Sequence, residues 1–531
     1  MHIWRAARIA ALFLVWSAGL AFAQDVTLTS RDGSVEIVGN LLGFDGEFYR
    51  VQTDFGDLTL DGTGVLCAGP GCPDLESYVA RLQISGAATA GDVLMPALVE
   101  GFGLRYGYSV GREDIEQGVV RYTLTHAEQG RLAGEFVIRS GTTNEGFADL
   151  LADHADIVMA LREVRTNENA LAQEAGLGDL RRRGRSLVVA LDALVPVVAP
   201  DNPVARISVP DLARVFAGEV VNWRDLGGPD APIAVHLRDA DSGPGQAAED
   251  LLMQPAKLVA SDTATRHRDN AGLIDAVMTD PFAIGLAVAS EPGETKPLRL
   301  SGACGFTVGA TRRAAKTEDY PLTMPVLLYR PGYRLPKLAR EFLAYVAGPS
   351  AQLVIRRAGF VDQAMERIAI ADQGERFANA IGQAGAETSL AELQRMVRVL
   401  GPMQRLSPTF RFRAGSTVLD VQSQSNVQLL ASALESGEFD GKRVVLIGFS
   451  DGAGSAELNR GISLQRAEAV REAIRASVVN GSLERVSLEV ASFGEALPMA
   501  CDDSAWGRQA NRRVEVWLRE DAAAAEPEDQ R

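Results

Sequence analysis

Histidine and cysteine are scarce in this chain, five and four among 531 residues. One histidine, His2, belongs to the N-terminal leader described below, and the other four are scattered, so no metal-ligand spacing assembles from them. There is no His-Glu-x-x-His and no Walker loop. Neither a nucleophile with its base nor a pair of metal sites is legible. The chain therefore reads as a non-enzyme, with no catalytic residue, no metal site and no cofactor. Excess positive charge is also missing: 53 Lys and Arg against 69 Asp and Glu leave −16, which argues against nucleic acid as a partner. Past the first 23 residues no apolar run approaches the roughly 18 to 20 residues of a membrane span.

What opens the chain is "MHIWRAARIAALFLVWSAGLAFAQD". Arg5 and Arg8 form a basic end, Ile9 to Leu20 an apolar stretch, and Ala21-Phe22-Ala23 a small-x-small cleavage pattern. Residues 1–23 thus read as a secretory signal peptide. No Cys follows it, so no lipid-attachment site is expected, and the mature chain is expected to be exported, without a transmembrane span. In an oxidising compartment the "CAGPGC" turn brings Cys67 and Cys72 close enough to bridge. A metal site is the rival, but no His or second Cys pair lies nearby. The pairing of Cys304 and Cys501 stays open.

A chain of this length exceeds one core, so several domains are expected. Residues 24–78 alternate apolar and polar positions (Val35, Ile37, Leu41, Tyr49, Val51, Leu58, Leu60) between Gly-containing turns, a small all-β module. Across residues 79–363 strand-like runs such as "SLVVALDALVPVV" and "FAIGLAVA" alternate with helix-like "VPDLARVFAG" and "LAREFLAYVA", the pattern of an α/β fold. Residues 364–405 are charged and helix-favouring, a helical connector. Residues 406–519 form a second α/β block, in which Val427, Leu430, Ala431 and Leu434 make an amphipathic stripe. In its second helix Leu464, Ala467, Val470, Arg471 and Ile474 are expected to form the mostly buried face. Residues 520–531 read as an acidic disordered tail.

Two constellations carry chemistry. In "IGFSDGAGSAELNRGISLQRAEAV" a strand ends just before Asp451, and a helix entered near Ser455 places Asn459, Ser463 and Arg466 close to one face. An Asp and an Arg flanking one groove could bind a zwitterion, carboxylate to ammonium and guanidinium to carboxylate. A mutual salt bridge closing the turn is the alternative. In the middle block three helix starts, at 85–89, 139–143 and 242–245, offer hydroxyls and backbone N–H groups, where a helix dipole favours an anion. Each alone is ordinary capping.

The last block, with "FRFRAGSTVLD", "VASFGEALPMA" and "GRQANRRVEVWL" in order, resembles the OmpA-like peptidoglycan-binding domain. The resemblance implies that Asp451 and Arg466 grip the diaminopimelate residue of the wall peptide, with Asn459, Asn511, Arg512 and Arg513 supporting the groove. The usual Gly-His-Thr-Asp is here Gly448, Phe449, Ser450, Asp451, and losing the His is expected to weaken affinity. The middle block, with "VVAPDNPVARISVPDLARVFAGEVVNWRDLGG" and "EDYPLTMPVLLY", resembles the PstS-like phosphate-type substrate-binding proteins of ABC importers, two lobes around a hinge. By position Thr89, Ser140, Arg238, Ser242 and Gly243 would hold phosphate or another oxyanion. Pro244 stands where a Thr is common, and Leu161 where an Asp can accept a ligand proton. Asp239 and Asp241 would oppose a dianion unless turned away.

These resemblances imply a periplasmic solute-binding protein tethered to peptidoglycan or the outer membrane of a Gram-negative envelope. It would capture phosphate or a related oxyanion for sensing or for import through an ABC permease. The alternative is an envelope scaffold whose lobes have lost the anion and bind proteins. The sequence names no importer, no oligomeric state and no role for the β module.

Overall fold

The computed structural model describes residues 25–75, 77–385, 387–413, 416, 418–478 and 483–520. The expected signal peptide, and the acidic tail from residue 521, lie outside them. The chain is multidomain α/β behind a small all-β module.

In the N-terminal module five strands pair in the order Gly56–Asp61, Phe48–Thr53, Glu36–Phe44, Val26–Ser30, Val65–Ala68. Alternate residues Val26, Leu28, Tyr49 and Val51 form its core, as period-two patterning requires. Cys67 and Cys72 are disulfide-bonded, with Cα atoms 5.8 Å apart. The module docks on the middle block through Asp45 and Glu47, which accept from Arg334 at 2.6 and 2.8 Å, and Glu47 accepts from Arg340 at 2.7 Å.

An eleven-stranded sheet organises the middle block. Two long strands, Ser186–Val198 and Thr323–Tyr329, pair antiparallel at its centre and run through both lobes. Ser186–Val198 is buried at nearly every position, which is why it reads as a continuous apolar run rather than an alternating one. In lobe one, parallel strands Ile157–Ala160, Ala80–Ala87 and Leu132–Gly141 lie side by side. Lobe two holds Ala283–Val288, Ala234–Arg238 and Thr265–His267, again parallel.

The C-terminal sheet runs Arg367–Ile368, Gln404–Phe410, Arg513–Arg519, Arg443–Phe449, Ser487–Gly494. Helices Val421–Glu435 and Ala456–Arg475 cover one face, burying Val427, Leu430, Ala431, Leu434, Ala467, Val470 and Ile474. Leu464, read as a core position, is instead 36% exposed, while Ser463 is buried. The cause is Gly448: a Cβ there would stand 1.9 Å from the carbonyl oxygen of Ser463, so the helix crosses the strand backbone to backbone at that residue. The other face is covered by Gly374–Gln383 and Leu390–Leu400, whose Ala380, Leu393, Met396 and Leu400 pack on Val445, Ile447 and Trp517. The segment read as a connector is thus a layer of this domain's core, and its Arg367–Ile368 is an edge strand of the same sheet.

The C-terminal domain touches both lobes. Arg413 donates to Glu163 at 2.8 Å, and Arg183 reaches the carbonyls of Ala476 and Ser477 at 3.1 and 3.2 Å. On the other lobe Trp506 donates to the Leu251 carbonyl at 2.7 Å, and Cys304 forms a disulfide with Cys501 across 197 residues. At the hinge, Arg405 makes a bidentate pair with Asp319 at 2.7 and 3.0 Å. Behind it lies wholly buried Glu515, which accepts from Arg376 at 2.6 Å, Arg513 at 2.7 Å and the Trp517 indole at 3.0 Å.

Candidate functional sites

In the middle block, strands Ala80–Ala87 and Leu132–Gly141 end in register, Gly86 opposite Ser140, so the helices that follow them begin side by side. The third helix start arrives from lobe two, and a Cβ on Gly243 would stand 2.6 Å from the Leu161 side chain and 3.6 Å from Ala87. The three starts therefore converge, and the point where they meet is filled by Leu161, 2% exposed. Thr89 is already helical (φ −52°, ψ −37°) and makes no capping bond. Thr142 rather than Ser140 caps the second helix: it accepts from the Glu145 N–H at 3.1 Å, and its own N–H donates to the Glu145 carboxylate at 2.7 Å. Ser242 caps the third, accepting from Gly245 N–H at 3.1 Å and donating to the Asp239 carbonyl at 2.6 Å. Pro244 suits this first helical turn, where an N–H has no intrahelical partner.

Arg238, at the end of Ala234–Arg238, is 9% exposed. Its Nε and Nη2 donate to the carbonyls of His267 and Arg268 at 3.3 and 2.8 Å. Burial lowers its pKa, and Asp269, Asp239, Glu291 and Asp92 oppose that shift. Arg238 thus sits in a field of carboxylates that a dianion would also meet. Asp239 and Asp241 are exposed. A residue not picked out from the sequence closes the lobes: buried Arg162 donates from Nε to Gln246 at 2.8 Å and from Nη2 to Asn144 at 2.5 Å, and grips Glu168 at 2.6 and 2.9 Å. Its position beside Leu161 was the available signal; its partner on lobe two, 84 residues on, was not.

Behind this closure a cavity of about 350 Å³ lies between both lobes and the C-terminal domain, lined by Arg162, Glu163, Glu318, Arg411, Asp420 and Trp506 among others. Burial, aided by Asp420, pushes the Glu318 carboxyl from 4.5 up to about 8. The native state then holds a proton that the unfolded chain has released, so this group's contribution to stability falls as pH rises from about 4.5 to 8. Thermal melts across that range should show the decline, and Glu318→Gln should remove this part of it.

In the C-terminal domain, strand Arg443–Phe449 leads through Ser450 to Asp451, and Ser455 caps Ala456–Arg475. Asp451 accepts from Arg512 Nη1 at 2.6 Å. Arg466 lies over the Phe412 ring at 5.8 Å and forms no hydrogen bond or ion pair among the described residues. Burial and Arg512 push its pKa down, while Asp451 raises it. Asp451, Arg466 and Arg512 are therefore one cluster, with Arg512 rather than Arg466 on the carboxylate. The other three named residues are internal. Asn459, 2% exposed, donates to Glu495 at 2.7 Å. Asn511 accepts from the N–H groups of Met499 and Ala500 and donates to the Ala500 carbonyl and Asp502, at 2.6 to 3.1 Å. Arg513 is wholly buried, bonded to Glu515 and to the carbonyls of Asn511 and Leu497. Phe449 is buried as well, under the Arg513 guanidinium at 4.5 Å, so the ring that departs from the usual motif does not line the groove.

Among the described residues no group of three or more His, Cys, Asp or Glu could hold a metal ion. Nor is any helix among them long and apolar enough to cross a membrane.

Residues 411–512 match the OmpA family. The chain is 34% identical over 114 residues to the peptidoglycan-associated lipoprotein of Pseudomonas putida, covering 21% of this chain and 63% of that protein. It is 21% identical over 188 residues to the phosphate-binding protein PstS of Borreliella burgdorferi, covering 34% of this chain and 67% of that protein. An ABC-type phosphate transport receptor from Vibrio cholerae, solved by crystallography, aligns with 53% of this chain and 99% of its own at 21% identity and a TM-score of 0.41. A match to the PBP superfamily domain extends over residues 82–350, more than half of the chain, and the protein belongs to that superfamily.

Proposed function

We propose that this is a non-catalytic, periplasmic binding protein held on peptidoglycan at the outer-membrane side of the envelope. Its C-terminal domain takes the diaminopimelate stem peptide between Asp451 and Arg466, while Asn459, Asn511 and Arg513 fix the groove from inside. The observation that carries this reading is the Arg466 guanidinium, unpartnered among the described residues, beside the Asp451–Arg512 pair. A ligand carboxylate can join Arg466 at no cost of a broken protein bond, and its ammonium can compete for Asp451. The name of the Pseudomonas putida relative supports the same reading.

The middle domain, in this proposal, captures phosphate or a related oxyanion among Thr89, Ser140, Arg238, Ser242 and Gly243. The convergence of three helix starts on one point and the name of the Borreliella burgdorferi relative support it. Wall tethering then favours local capture for sensing, or for handing the ion to an ABC permease. One observation favours a second reading, a scaffold whose lobes have lost the anion: Leu161 is packed against Gly243 where the ion would sit.

Calorimetric titration of the full chain with phosphate, sulfate, molybdate and tungstate separates the two. Capture predicts micromolar or tighter binding of one ion, weakened at least a hundredfold in Arg238→Ala. A folded, ligand-free protein giving no heat with any of the four would overturn capture and leave the scaffold.

A further inference from the structure

Five arginines, Arg181, Arg182, Arg183, Arg185 and Arg330, gather where the loop before Ser186–Val198 meets the end of Thr323–Tyr329. None of them forms an ion pair among the described residues, in a chain whose net charge is −16. Their side-chain hydrogen bonds go to neutral groups: Arg181 to the Val164 carbonyl and Thr166, Arg183 to two carbonyls and Gln428, Arg185 to the Pro331 carbonyl, Arg330 to the Gly184 carbonyl. Arg330 uses only its Nε in this way, at 2.8 Å, leaving both Nη groups without a partner among the described residues. It is half-buried, and burial and then the neighbouring Arg185 disfavour its charge. Arg182 and Arg183 are exposed and the other three half-buried; like charges placed together with no counter-ion repel one another, and an anion would relieve that repulsion.

Arg330 and Arg183 line a cleft of about 500 Å³ between helices Lys337–Ala347 and Val421–Glu435, distinct from both sites above. Its walls include Leu187, Leu343, Ala344 and Val421. The third arginine on the cleft, Arg340, is already neutralised by Glu47 at 2.7 Å. Apolar walls interrupted by a few polar groups, in a volume of about 300 to 1,000 Å³, suit a small amphiphile. A planar guanidinium with free Nη groups suits a carboxylate or phosphate.

We propose that this cleft binds an anionic amphiphile, its head on the free Nη groups of Arg330 beside Arg183 and its alkyl chain along Leu187, Leu343 and Val421. The test is calorimetry of the full chain with lysophosphatidylglycerol, below its micelle concentration, against zwitterionic lysophosphatidylcholine and inorganic phosphate. Arg330→Gln is the first variant, because Arg183 also pins the C-terminal domain; Leu343→Glu places a charge in the chain's path. Saturable binding of lysophosphatidylglycerol, at least tenfold weaker in each variant and at least tenfold tighter than lysophosphatidylcholine, supports the proposal. Equal binding of the two lipids would overturn the role of the arginines. Inorganic phosphate competing as tightly as the lipid, with Leu343→Glu unaffected, would reduce the cleft to a plain anion site and overturn the amphiphile. Absence of lipid binding, or binding indifferent to Arg330→Gln with unchanged melting temperature, would overturn it outright.

Discussion

Arg466→Ala is expected to lose co-sedimentation with purified peptidoglycan sacculi while keeping the melting temperature of the native protein. The second half of that expectation rests on structure: Arg466 has no hydrogen bond or ion pair to lose among the described residues, only its contact with the Phe412 ring. The first half rests on chemistry. A charge-assisted contact to a ligand carboxylate contributes about 1.5 to 3 kcal/mol, so affinity should fall about 10- to 150-fold. Asp451→Ala should reduce binding by a similar factor, and it also leaves Arg512 without its 2.6 Å partner. Raised salt should weaken binding by the native protein, since these groups are partly exposed and screened. In cells, the Arg466→Ala protein should appear in osmotic-shock fluid while the native protein stays with the wall. Undiminished pelleting of both variants would refute the anchor.

Glu515→Gln is expected to have the largest effect on stability. Burial alone would raise this carboxyl; the guanidiniums of Arg376, Arg405 and Arg513 outweigh it and hold the group far below the usual carboxylate range. Removing its charge leaves three buried arginines facing one another, with Asp319 the remaining carboxylate of the cluster. Breaking such a buried pair costs about 3 to 5 kcal/mol, seen as a lowered urea midpoint. Trp517 donates to Glu515, so its fluorescence should report the loss locally. The sign with pH follows from a depressed native pKa: this contribution is present above the unfolded value of 4.5 and is lost as pH falls below it. Glu515→Gln should therefore show a shallower acid destabilisation than the native protein.

Much of the fold is legible in local patterns. Period-two alternation marks Tyr49 and Val51, although Val35, read with them, lies outside its strand and is exposed; period 3.6 marks Val427 to Leu434, because those spacings decide which face meets the core. Small spacings are equally reliable where chain connectivity limits the partners, as for Cys67 and Cys72. Proximity of Asp451 to Arg466 follows from one strand, one turn and one helix, all contiguous.

Other features depend on groups that meet only after folding. Leu464 and Ser463 exchange places because Gly448 lets the helix backbone touch the strand. Arg512, remote in sequence, is what pairs with Asp451, and Glu495 occupies Asn459. The destination of the helices at 374–400 and the pairing of Cys304 with Cys501 are set by domain docking. Domain order, the alternation of strands and helices, and the residue types at each helix start are readable along the chain without any long-range contact. That Leu161 fills the point where those starts meet, and that Arg330 has no counter-ion among the described residues, follows from how distant segments pack. Element identity is written in spacing along one segment, whereas the freedom of a charged or polar group is a property of everything packed around it.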